Sequence, residues 1–134
     1  MMIGIDHAGI AVADAAEAAA RLSRLTGQPA TAVEALPEQG VRVCFVGAGP
    51  GGARLELLEP LGAETVVGRF LARRGEGLHH LCLAVDDIHA ELARLEREGF
   101  QPIDRTPRRG HGGLVAFLHP KSACGVLIEL LQRD

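Results

Sequence analysis

"HAGIAVAD" at residues 7–14 and "HLCLAVDD" at residues 80–87 are two versions of one segment, 73 residues apart. The same spacing aligns "ARLSR" (20–24) with "ARLER" (93–97), "QP" (28–29) with "QP" (101–102), and Gly40 with Gly113. It also aligns "RLELLE" (54–59) with "LIELLQ" (127–132). No gap is needed across these matches, so the chain reads as a tandem duplication in which one half predicts the other.

Each half reads as β-α-β-β-β. "IGIDHAGIAV" (3–12) is apolar and strand-like. "DAAEAAARLSRLTG" (14–27) is a helix, with Asp14 as N-cap, Glu17 three residues on, an apolar stripe of Ala18, Leu22 and Leu25, and Gly27 as its stop. Strands are expected over Thr31–Leu36, Val41–Val46 and Ala53–Leu58, with a tight turn at "AGPGG" (48–52). The second half repeats this with a strand over Leu78–Val85 and a helix over Asp87–Glu98. Its remaining strands are expected near Gln101–Asp104, Leu114–Leu118 and Gly125–Leu131, with "RRGHGGL" (108–114) as a glycine-rich loop. "ETVVGRFLARRGEG" (64–77) is a short connecting helix. The expected architecture is α+β: one domain over 1–134 made of two βαβββ repeats, about 1–61 and 77–134. Together the repeats should form a curved mixed sheet around a metal site.

The metal expectation rests on four residues. The repeat pairs His7 with His80 on the first strand of each half, and Glu56 with Glu129 on the last. A lone strand histidine is ordinarily a core or surface residue. A glutamate inside "LELL" or "LIELL" is stranger, because burying an unpartnered carboxylate is expensive. Two such glutamates and two histidines, related by one repeat, form a self-consistent set that a divalent cation would neutralise. All donors are N or O, which suits Co²⁺, Mn²⁺, Ni²⁺, Zn²⁺, Fe²⁺ or Mg²⁺ in an open site. The repeat also separates the adjacent histidines. His80 is the copy of His7, whereas His79 is the copy of Asp6 and belongs on the other face of the strand. His89, His111 and His119 read as surface or loop residues, His119 lying in the "HPK" segment close to the expected site.

Composition narrows the function classes. At 134 residues, 47% apolar and 23% charged, the chain can bury a core. Its formal net charge is −3, and its aromatic residues are four Phe with no Trp or Tyr, so a general nucleic-acid binder is not expected. No apolar run is long enough to suggest a membrane span, and the start lacks the basic n-region of a signal peptide. Three widely spaced cysteines, Cys44, Cys82 and Cys124, fit reduced thiols in a cytoplasmic protein. The arginines at 73–74 and at 105, 108 and 109 read first as solvated faces and second as phosphate contacts.

The duplication with two His and two carboxylates resembles the vicinal-oxygen-chelate superfamily. Within it, "IDHAGIAVAD", "PEQGVRV", "LELLEPLG", "FLARRGEGLHHLCLAVDDI", "FLHPKS" and "GVLIELL" resemble, in order, segments of the methylmalonyl-CoA epimerase family across nearly the full chain. The resemblance implies an enzyme that interconverts (2R)- and (2S)-methylmalonyl-CoA by removing and returning the α-proton through a metal-stabilised enolate. It also implies metal ligands at His7, Glu56, His80 and Glu129, in agreement with the repeat. Some members carry Gln at the position of Glu56, and a Glu proposed as catalytic base at the position of Val43. Val43 cannot act as a base. The resemblance implies Glu129 as one acid/base group, and Glu56 is the leading candidate for the opposite face. Lys121 and Ser122 of "HPKSACG" are expected against the thioester end or the carboxylate, and Gln39 of "PEQGVRV" is a further substrate-binding candidate. A homodimer is expected by resemblance. A lactoylglutathione lyase with the same ligand set, and a non-catalytic binding protein of the same fold, stay open. An extradiol dioxygenase would use two His and one carboxylate, so the fourth ligand counts against it.

Overall fold

Asp14 and Asp87 open the two long helices in the same way. Each extended N-cap accepts a hydrogen bond from the backbone N–H three residues on, Glu17 at 3.1 Å and Ala90 at 3.0 Å. In the computed structural model, which describes residues 1–47 and 52–134, the elements run in this order. The first seven are β1 (Met2–Ala11), α1 (Ala15–Thr26), β2 (Glu34–Leu36), β3 (Val41–Val46), β4 (Arg54–Pro60), α2 (Val66–Arg74) and β5 (Gly77–Val85). They are followed by α3 (Ile88–Arg97), β6 (Arg108–Gly110), β7 (Gly113–Leu118) and β8 (Ile128–Arg133). The chain divides into two compact units, residues 7–79 and residues 1–6 with 80–134. All but Gly52 of the turn expected at 48–52 lies outside the described residues. None of the described helices is long and apolar enough to cross a membrane.

The class is α+β, as expected, and strand pairing is mixed within each unit. In residues 7–79, β1 pairs in parallel with β4, and β4–β3–β2 are antiparallel. In the other unit, β5 pairs in parallel with β8, and β8–β7–β6 are antiparallel. Register is repeated: Glu56 lies opposite Gly9, and Glu129 opposite Cys82. Successive strand side chains point to opposite faces, so each last strand serves two purposes. Glu56 faces one side, while Glu59 on the other accepts the Ala15 N–H of α1 at 2.9 Å. Glu129 and Gln132 divide the same way, Gln132 accepting the Ile88 N–H of α3 at 2.8 Å. These bonds satisfy a helix-end donor that has no intrahelical partner.

In residues 7–79, α1 covers one sheet face, its Ala15 and Ala19 packing in a cluster with Val12, Cys44, Val46 and Leu57. On the other face, α2 covers one end through Val67, packed with Ala11, Val41, Val43 and Leu58. In the second unit, α3 buries Ile88, Leu92 and Leu95 against Val85, Ala116, Leu118 and Leu130. Its opposite face carries a smaller cluster of Cys82, Val115 and Leu131.

Three expectations are corrected. The gapless repeat does not hold throughout. Glu56 pairs with Phe45 and Glu129 with Phe117, so β3 and β7 correspond at a spacing of 72, not 73. Ala30 bridges Val46 as Pro102 bridges Leu118, so the aligned "QP" pairs occupy different positions, and Gly113 corresponds to Val41 rather than to Gly40. One residue is lost before this hairpin and one regained inside it, leaving both ends of the repeat in phase. The strand expected near Gln101–Asp104 is reduced to the single Pro102–Leu118 bridge, and β6 forms instead inside the expected glycine-rich loop. Proline lacks the N–H that a ladder requires. Finally, the stripe of α1 is rotated. Ala15 and Ala19 are buried, whereas Leu25 is 76% exposed.

Candidate metal centre

The repeated register places an imidazole and a carboxylate together once in each unit. His7 Nε2 lies 3.3 Å from Glu56 Oε1. His80 Nε2 lies 3.3 Å from Glu129 Oε1. All four side chains are nearly withdrawn from solvent, the histidines at 7% and 6% exposure and both glutamates at 14%. Two donors about 2.1 Å from one ion, at a right angle, stand about 3.0 Å apart. Each pair therefore has the spacing of neighbouring ligands, and the donor set is the imidazole and carboxylate one that divalent transition metals accept.

Each pair has an aromatic support that the constant spacing of 73 concealed. Phe45 meets His7 edge-on, with ring centroids 6.0 Å apart and planes at 79°. Phe117 meets His80 in the same way, at 6.1 Å and 81°. Such edge-to-face contacts orient a ring, and the phenylalanine lies directly opposite the glutamate of its pair. A search allowing a shift of one residue would have aligned "VRVCFV" with "GLVAFL" and matched the two rings. The hairpin backbone is tied down at the same point. The Phe45 N–H donates to Thr31 Oγ1 and the Phe117 N–H to Asp104 Oδ2, each at 2.8 Å.

The adjacent histidines part company. His80 lies against Glu129, whereas His79 packs edge-on against Phe70 of α2, with ring centroids 5.0 Å apart. Asp6, the copy of His79, accepts two hydrogen bonds from Arg133, at 2.8 and 2.9 Å. That bidentate contact raises the guanidinium pKa. Val43 is 2% exposed inside the apolar cluster under α2, which leaves that position no acid–base role.

The expected substrate-side residues occupy two short 3₁₀ turns. Gln39 ends the turn Pro37–Gln39 and is exposed. Lys121 and Ser122 lie in the turn Pro120–Ser122, which His119 caps by accepting the Lys121 N–H at Nδ1. The Lys121 side chain is exposed. Ser122 Oγ accepts from the Gln101 N–H and donates to the His119 carbonyl, so this hydroxyl braces the loop. Two arginines of the basic clusters are committed elsewhere, Arg108 to Asp104 and Arg109 to Asp134.

Residues 6–117 match the model of the Glyoxalase/Bleomycin resistance protein/Dioxygenase superfamily. The chain is similar to human mitochondrial methylmalonyl-CoA epimerase, 38% identical over 96% of this chain and 73% of that one. It is similar to the ethylmalonyl-CoA/methylmalonyl-CoA epimerase of Cereibacter sphaeroides, 38% identical over 98% of this chain and 99% of that one. Among solved structures it resembles methylmalonyl-CoA epimerase from Mycobacterium tuberculosis, with a TM-score of 0.90 and 37% identity over 99% of this chain and 89% of that one.

Proposed function

Because the chain belongs to the glyoxalase/bleomycin resistance protein/dioxygenase superfamily and, within it, to the methylmalonyl-CoA epimerases, we infer that it interconverts (2R)- and (2S)-methylmalonyl-CoA. The observation that carries this reading to the chemistry is the repeated His–Glu contact at 3.3 Å, one in each half of the chain. We assign His7, Glu56, His80 and Glu129 as the ligands of one divalent ion. Two carboxylates offset its charge, and neutral imidazoles complete the set. When bound, such an ion supplies charge stabilisation for the enolate form of the thioester.

The chain's own residues must move one proton. The α-hydrogen lies between a thioester carbonyl and a carboxylate. Its proton passes to a base on one face, the C–H electron pair delocalises toward the thioester oxygen, and a proton returns from the other face. Nothing is oxidised and nothing is lost. Glu129 is our assignment for one acid/base group and Glu56 for the other, both being poorly solvated and each already beside an imidazole. Lys121, Ser122 and Gln39 are proposed to meet the substrate from their two turns, with Ser122 acting through the loop it braces.

Incubating the protein with methylmalonyl-CoA in D₂O tests the reading. The α-proton signal should disappear from the NMR spectrum while no other product forms. Inertness here, with turnover of the methylglyoxal–glutathione adduct, would assign a lactoylglutathione lyase instead. The free thiols support a cytoplasmic location. Exposed Met2, Ile3 and Ile5 on β1 support a homodimer, which sedimentation would test.

A further inference from the structure

We propose that Arg54 binds a negatively charged group of the acyl-CoA substrate, its guanidinium held ready on the face of Phe45. The proposal rests on the acyl-CoA reading above. Arg54 lies opposite His7 in the parallel β1–β4 register, and two residues before Glu56. It therefore shares the sheet face that carries the first His–Glu pair. Its Cζ stands 3.8 Å from the Phe45 ring centroid, and the same ring meets His7 edge-on. One phenyl ring thus separates a fixed positive charge from a proposed metal ligand.

The burial of this arginine sets it apart. Every other arginine of the described residues is exposed, whereas Arg54 is half-buried. Arg42, Arg94, Arg108, Arg109 and Arg133 each hold a carboxylate. Arg54 holds none among the described residues, its contact being the stack on Phe45. A guanidinium taken from water without an anion is costly, and a cation–π contact offsets only part of that cost. An arriving anion would complete it through two parallel N–H donors.

The second unit lacks the device. The residue matching Arg54 is Leu127. Arg108 approaches Phe117 only to 5.7 Å, and Asp104 occupies it at 3.4 Å. The duplication therefore provides two equivalent His–Glu pairs, but among the described residues only the first has a half-buried arginine stacked on its phenylalanine. The anion is either the malonyl carboxylate or a CoA phosphate, both of which a guanidinium receives in the same way.

The test compares wild type with Arg54→Met, which keeps an apolar stem against Phe45, and Arg54→Lys, which restores the charge. Arg54→Gln serves in place of the methionine variant should that one not fold. Dissociation constants are measured for methylmalonyl-CoA, for propionyl-CoA, which lacks the carboxylate, and for methylmalonyl-pantetheine, which lacks the nucleotide phosphates. The KM for methylmalonyl-CoA should rise about tenfold in Arg54→Met, the size of one charge-assisted hydrogen bond. Its kcat should stay within about twofold, and Arg54→Lys should recover most of the loss. A matching loss with propionyl-CoA places a phosphate on Arg54. A loss confined to the two methylmalonyl ligands places the carboxylate there. Wild-type affinity of Arg54→Met for all three ligands overturns the proposal. Exchange of the α-proton by wild type reads the epimerase assignment separately.

Discussion

His80 and Glu129 meet at 3.3 Å between Nε2 and Oε1, at less than one-seventh of their free exposure, and the contact is reproduced by their repeat partners, His7 and Glu56. Replacing either partner removes one donor from the four-ligand set proposed above. Glu129→Gln and Glu56→Gln should each abolish α-hydrogen exchange, a loss on the order of 10²–10⁴-fold or more. His80→Ala should lower the bound divalent metal, read by elemental analysis after dialysis. Full exchange in either glutamine variant removes that residue from the mechanism.

Phe45 and Phe117 support the two imidazoles edge-on. Leucine at either position keeps an apolar filling but loses the ring contact, worth about 0.5–1.5 kcal/mol. Phe117→Leu should therefore weaken Co²⁺ binding by roughly two- to tenfold and alter the visible spectrum of the cobalt protein, with the chain still folded. An unchanged affinity and spectrum would leave Phe117 as core filling.

Gly113 has no room for a side chain, because a Cβ would strike the Gln132 carbonyl oxygen and stand 2.9 Å from the Arg133 Cα. Both obstacles are backbone of β8, so the strand itself would have to move. Gly113→Ala should cost about 1–3 kcal/mol, seen as a lower midpoint in denaturant. The same change at Gly4, where nothing lies within 4 Å, should leave the midpoint close to wild type.

Glu91 is buried and its carboxylate accepts two hydrogen bonds from Arg94, at 2.6 and 3.3 Å. Arg94 holds its pKa below the ordinary 4.5. A carboxyl depressed in the folded state stabilises the fold fully above the unfolded value and loses that contribution as pH falls through the folded one. Wild type should therefore exceed Glu91→Gln in melting temperature at pH 7, and the difference should shrink from about pH 4.5 downward. A difference independent of pH would show that the ionised carboxylate is not what stabilises the fold there.

Cys44 and Cys82 are buried and Cys124 is exposed. Burial raises the Cys44 thiol pKa and further suppresses its thiolate. Native protein should titrate one thiol with a disulfide reagent, and unfolded protein all three. Rapid labelling of two or more in the native state would contradict the packing.

The sequence by itself determined which four residues to compare. Duplication preserved the spacing of His7 and Glu56 in His80 and Glu129, because both lie on the parallel strand pair that each half builds first and last. Helix starts were legible for a local reason: an N-cap and its recipient N–H are three residues apart. Only the tertiary structure decided the hairpin between them. There a lost residue and a regained one cancel, so a spacing of 72 hides inside one of 73 and the two phenylalanines do not align. Strand β6 also depended on it, since its partner β7, and not local propensity, selects Arg108–Gly110 over the segment containing Pro102. The setting of Arg54 was beyond the sequence as well. Thirteen arginines look alike in a string, and which of them is half-buried on an aromatic ring is settled by register and packing across strands.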